Sequence, residues 1–117
     1  MRYENLDVWR RGCSLSIQVY KSFKDCRDFG FRDQITRSVL SIPSNIAEGC
    51  ERTSSKETAR FFAIAKGSAG EFKTQAYIGY QIDYLSKNQF ESWWNESEEL
   101  AAMLGALIKR HQAYGDK

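Results

Sequence analysis

The chain has 117 residues, 42% of them hydrophobic, and a net charge of +2 from 17 basic and 15 acidic side chains. That length gives a single domain, residues 1–117, able to bury a core without staples. The near-neutral charge carries no nucleic-acid signature of its own, and one proline with three widely spaced cysteines argues against a turn-rich β fold or a disulfide framework.

Apolar spacing predicts four helices. The first is expected from about Asn5 to Lys24, with one stripe through Leu6, Trp9, Cys13, Ile17, Tyr20 and Phe23 and a second through Val8, Gly12, Leu15 and Val19. The second is expected from about Phe31 to Glu48, on the apolar row Phe31, Ile35, Val39, Ile42 and Ile46, with Gly49 as its stop. Pro43 sits inside it. A proline there removes a backbone donor and predicts a kink.

The third helix is expected to start behind Ser54-x-x-Glu57, which has the form of a capping box, and to run to about Leu85. Asn88-x-x-Glu91 is a weaker capping signal before a fourth helix that ends near Tyr114. Short connections between long helices predict an all-α, antiparallel up-down four-helix bundle. Helix 4 carries Phe90, Trp93, Trp94, Leu100, Met103, Leu104, Leu107 and Ile108 over about half its circumference, more than the ~100° a core stripe needs. Helix 1 has its second stripe. Both excesses predict a homo-oligomer.

No residue set has the form of an active site. A di-metal carboxylate bundle needs Glu-x-x-His pairs; Glu48, Glu57 and Glu71 lack them, and His111 is the only histidine. Triad chemistry would need that same histidine. Neither a catalytic residue, a metal nor a cofactor is expected, and no small-molecule substrate.

Two residue groups stand out. Gln34, Arg37, Ser41, Ser44, Asn45 and Glu48 recur three or four apart on helix 2, and Arg60, Ser68 and Glu71 on helix 3 could answer them. They have the form of a buried polar network joining the two helices, with Ser41 or Ser44 serving a carbonyl freed by Pro43; the alternative is a small ligand or phosphate site. Arg10, Arg11, Lys21, Lys24, Arg27 and Arg32 are the candidate nucleic-acid contacts, which oligomerisation would multiply. Gly67-Ser-Ala-Gly70 matches an RNA-clamp pattern, but its helical setting, with Ala63 on the same side, predicts close helix approach instead.

Leu6-x-Val8-Trp9, Gln34-Ile35-x-Arg37-Ser38, the run 41–49, Arg52, Ala65-x-Gly67-Ser68-x-x-Glu71 and Tyr84-Leu85-Ser86 resemble a bacterial four-helix-bundle family. Its members include proteins encoded in intervening sequences of 23S ribosomal RNA genes. A related branch holds the accessory variability determinant of diversity-generating retroelements, which is basic and works with nucleic acid. The resemblance covers nearly the whole chain. It implies a homopentameric ring of four-helix bundles with no enzymatic activity and with RNA or a nucleoprotein as partner; the alternative is a protein-interaction scaffold with no nucleic-acid contact. Departures are Phe31 in place of a smaller aliphatic residue, Asp83 where glycine precedes Tyr84, and a charge far below that of the retroelement branch.

No apolar run approaches the roughly eighteen residues of a membrane span, and no basic-then-apolar leader opens the chain. No membrane contact and a cytoplasmic location are expected.

Overall fold

Four helices account for nearly all of residues 2–115, the part of the chain that the computed structural model describes. They are α1 (Asp7–Phe23), α2 (Phe29–Cys50), α3 (Ser55–Gln81) and α4 (Lys87–Gly115), with a short 3-10 turn at Tyr3–Asn5.

Side chains that accept orphan backbone N–H groups set the helix starts. Asp28 Oδ1 accepts from the Phe31 N–H at 3.1 Å, so α2 begins two residues before the expected Phe31. Ser54 Oγ accepts from the Glu57 N–H at 3.1 Å as expected, but the Glu57 carboxylate turns to Arg60 at 3.0 Å. The cap of α4 is Ser86 and Gln89, not Asn88 and Glu91. Ser86 Oγ accepts from the Gln89 N–H at 3.1 Å, and Gln89 Oε1 accepts from the Ser86 N–H at 3.2 Å.

Helix α3 stops at Gln81, four residues short of the expected Leu85. The Tyr84 N–H donates to the Gly79 carbonyl at 2.8 Å and the Asp83 N–H to the Tyr80 carbonyl at 3.1 Å, a Schellman ending. Its left-handed position is Asp83, with φ of 66°. The glycine that the family resemblance places there is thus a conformational preference rather than a packing one.

Adjacent helices run antiparallel. Ser38 meets Gln75 and Ser41 meets Ser68 between α2 and α3, while Phe72 meets Trp93 between α3 and α4. Arg11 meets Glu96 and Phe23 meets Trp93 between α1 and α4, which closes the bundle. The core holds Leu15, Val19, Ile35, Ile42, Phe62, Phe72, Leu100 and Leu104.

The core stripe of α1 is Val8, Gly12, Leu15, Ser16, Val19 and Phe23. The other stripe is divided: Phe23 joins the core, Leu6 and Trp9 pack partly buried against it, and Ile17 and Tyr20 are exposed. On α4 no large apolar side chain is exposed among the described residues. Phe90, Met103, Leu107 and Ile108 lean on the chain's own core, and Trp94 lies between the Phe90 ring and Lys73. The exposed large apolar side chains on helices lie on α1, α2 and α3 instead: Ile17, Tyr20, Phe29, Leu40, Ile64, Tyr77 and Ile78 among them.

Pro43 is buried, and α2 continues through it. The Val39 carbonyl, four residues back, loses its intrahelical donor. Ser16 Oγ of α1 lies 3.1 Å from that oxygen and 2.8 Å from the Gly12 carbonyl. The expected helpers Ser41 and Ser44 do not serve it. Gly12 of α1 lies against Pro43, and a Cβ added there would meet the proline ring at an ordinary contact distance of 3.5 Å.

Gly49 does not stop α2 by a left-handed φ; the helix runs one residue further, to Cys50. A Cβ at Gly49 would come within 3.0 Å of the Phe62 ring, so its role is close packing on α3. Gly67 and Gly70 contradict the expected close approach: both are exposed and face open space, as Ala63 is exposed.

Candidate functional site

The polar residues of α2 and α3 do not form a buried network within one chain. Gln34, Arg37, Ser44, Glu48, Arg60 and Glu71 are exposed. What remains at the seam is smaller. Ser41 Oγ lies 2.8 Å from Ser68 Oγ, and the Asn45 amide donates to Ser41 Oγ and to the Ser41 carbonyl, each at 2.8 Å. Ser38 donates to Gln75 one turn away, a pair the row of polar spacings did not include. Glu48 pairs with Arg52 at 3.3 Å, and Arg60 with Glu57. Arg37 and Glu71 have no side-chain partner among the described residues.

The reason is geometric. Residues 34, 37, 41, 45 and 48 share one side of α2, but the row bonds to α3 only at Ser41, with Asn45 turned back onto Ser41. The outer edge faces solvent beside Ile64, Glu71 and Ile78 of α3, the last two of which lie three and ten residues from Ser68 on the same side of that helix.

The candidate nucleic-acid cations divide into two sets. Arg11 is committed to α4. Its guanidinium grips Glu96 in bidentate fashion and reaches Glu99 at 3.1 Å, and these hydrogen bonds, Glu96 first, hold its pKa above the usual arginine value. Arg10 is tied to Asp7 and, at 2.8 Å, to the Glu4 carbonyl. The other four gather where α1 ends and α2 begins. Lys21, Lys24 and Arg27 are exposed and form no ion pair among the described residues. Arg32 lies 3.5 Å from Asp33 and over the exposed Phe29 ring at 4.8 Å from its centre.

Two clefts flank this end of α1. One, of about 350 Å³ between α1 and α2, is lined by Tyr20, Phe23, Lys24, Arg32, Asp33 and Thr36. The other, of about 530 Å³ between α1 and α4, is lined by polar side chains including Gln18, Lys21, Asn88 and Gln89. The exposed Tyr20 ring that lines the first cleft is the element that charge counting missed; Tyr20 followed four residues later by Lys24 was its only sequence signal.

Among the described residues no nucleophile is hydrogen-bonded to His111, the one histidine. Burial pushes the Cys13 and Cys50 thiols up, away from the reactive thiolate. His111 Nδ1 is buried without a hydrogen-bond partner. Among the described residues no group of His, Cys, Asp and Glu has the arrangement of a metal site, and no helix is long and apolar enough to cross a membrane.

No curated protein matches the chain. A crystal structure from Bacteroides thetaiotaomicron, of a protein of unknown function from the S23 ribosomal protein family, is similar to it with a TM-score of 0.81 and 26% identity. The match covers 87% of this chain and 98% of that one. The family model for the 23S rRNA-intervening sequence protein matches residues 4–106, and the chain therefore belongs to that family.

Proposed function

We propose that this protein is a non-enzymatic, homo-oligomeric cytoplasmic bundle that binds RNA through the α1–α2 end. The observation that carries the reading is the set Lys21, Lys24 and Arg27, cations without carboxylate partners among the described residues, close in the chain to the exposed rings of Tyr20 and Phe29. One copy offers few phosphate contacts, and a ring of five, the stoichiometry the family resemblance implies, multiplies them. The outer face of α2 and α3 supports assembly: Ile64 and Ile78 are exposed there, next to the unpaired Arg37 and Glu71. In this reading the polar row closes between copies rather than within one.

Sedimentation tests the assembly. A multiple of 13.5 kDa is expected at micromolar concentration, with Arg37→Glu reducing it to monomer and Arg37→Glu/Glu71→Arg restoring it. RNA retention that falls with salt is expected of the assembled protein; no retention at low salt defeats the RNA reading. The same α2–α3 face favours a second reading, a protein-interaction scaffold with no nucleic-acid contact, and an assembled protein that retains no RNA would select it.

A further inference from the structure

We infer that the RNA is single-stranded and crosses the last turns of α1, with one base seated in the Tyr20 cleft; this rests on the RNA reading above. Duplex RNA presents a regular backbone and hides its bases, so an aromatic cleft has nothing to receive from it. Single strands offer every base a π-face, and exposed rings set among cations are what binds them.

The cleft between α1 and α2 has the parts for one base. Tyr20 is 45% exposed and supplies a ring at its mouth. Phe23 is buried beneath it. Lys24 and Arg32 hold positive charge at the rim, and Asp33, beside Arg32, is a hydrogen-bond acceptor. The Thr36 hydroxyl already donates to the Arg32 carbonyl at 2.7 Å, which leaves it only as an acceptor. A carboxylate at the rim accepts from a donor on the base edge, whether the exocyclic amino group of cytosine or the ring N–H of uracil. The volume of about 350 Å³ falls within the range of formed ligand pockets, about 300–1,000 Å³.

The path over α1 follows from the second cleft. Gln18, Lys21 and Gln89 line it on the α4 side. Lys21 and Lys24 therefore stand on the ridge between the two clefts, placed for the phosphates of a strand that passes from one to the other. The Asn88 side chain in the second cleft has no partner among the described residues and is open to a base edge or a 2′-hydroxyl.

Fluorescence anisotropy tests the proposal, using a labelled single-stranded oligoribonucleotide of roughly 12 nucleotides and its duplex at one salt concentration. The single strand should bind at least about tenfold tighter than the duplex. Tyr20→Ala should weaken it about tenfold, the scale of one stacked base, and Tyr20→Phe should keep wild-type affinity. Lys21→Gln/Lys24→Gln should lower the slope of log K against log salt by about 1.4, two single-strand contacts. Equal binding of strand and duplex, or unchanged affinity in Tyr20→Ala, overturns the single-strand cleft and leaves RNA binding standing. Binding of neither probe overturns both.

Discussion

Ser16 Oγ of α1 lies 3.1 Å from the Val39 carbonyl oxygen of α2, the oxygen that Pro43 leaves without an intrahelical donor. A buried acceptor without a donor carries its full desolvation cost. The Ser16 hydroxyl, whose single proton is shared with the Gly12 carbonyl at 2.8 Å, is thus a donor from a neighbouring helix within reach of the oxygen that the proline strands. Ser16→Ala should lower stability by about 1–3 kcal/mol in urea unfolding. The coupling is the sharper test. Pro43→Ala returns an N–H to Val39, so the Ser16→Ala loss should shrink by about 1 kcal/mol in that background. Equal losses in both backgrounds would refute the link.

The glycines of α2 and α3 should respond in opposite directions. Gly49→Ala drives a methyl to within 3.0 Å of the Phe62 ring, and overpacking of this kind should cost about 1–3 kcal/mol. Gly67→Ala meets nothing within 4 Å and should stabilise the dilute monomer by about 0.5–1 kcal/mol through helix propensity. Thermal unfolding of the two single variants distinguishes these outcomes.

Asp83 holds φ of 66° at the end of α3. Aspartate tolerates this region better than most residues, and β-branched side chains tolerate it badly. Asp83→Val should cost about 1–3 kcal/mol, while Asp83→Gly should match or exceed wild type. A valine variant as stable as wild type would show that the ending does not constrain the chain.

His111 stands edge-on to Phe62 at 5.6 Å, with Nδ1 buried and unpartnered. Burial, and then Arg110, lowers its pKa. The folded state therefore binds the proton less readily than the unfolded one. Above about pH 6.5 both states are neutral and the group adds no pH dependence. As pH falls from there through the lowered folded value, the unfolded state gains the proton first and stability drops. His111→Gln should flatten the stability profile between about pH 7 and pH 5.5, the window above the main carboxylate titrations. A profile identical to wild type would remove His111 from the account.

The parts of the fold that depend on neighbours along the chain were legible in the sequence. The apolar row of α2 is buried from Ile35 to Ile46, and Ser54 caps α3. The α4 cap was missed by two residues because Ser86-x-x-Gln89 overlaps Asn88-x-x-Glu91, and the two signals have the same form. The site was only partly legible. Six cations could be named from the chain, but that Arg11 meets a carboxylate depends on α4, which brings Glu96 to it, while no described acid pairs with Lys21.

The sequence by itself determined four helices, the apolar row of α2 and the family, because each is encoded in local periodicity or in a run of adjacent residues. Only the tertiary structure decided which stripe of α1 meets the core, that the polar row of α2 faces outward past Ser41 and Asn45, and that Ser16 answers Val39. Each of these is a choice between faces that are locally equivalent. A helix with two apolar stripes, or a carbonyl without a donor, finds its partner only when another helix packs against it.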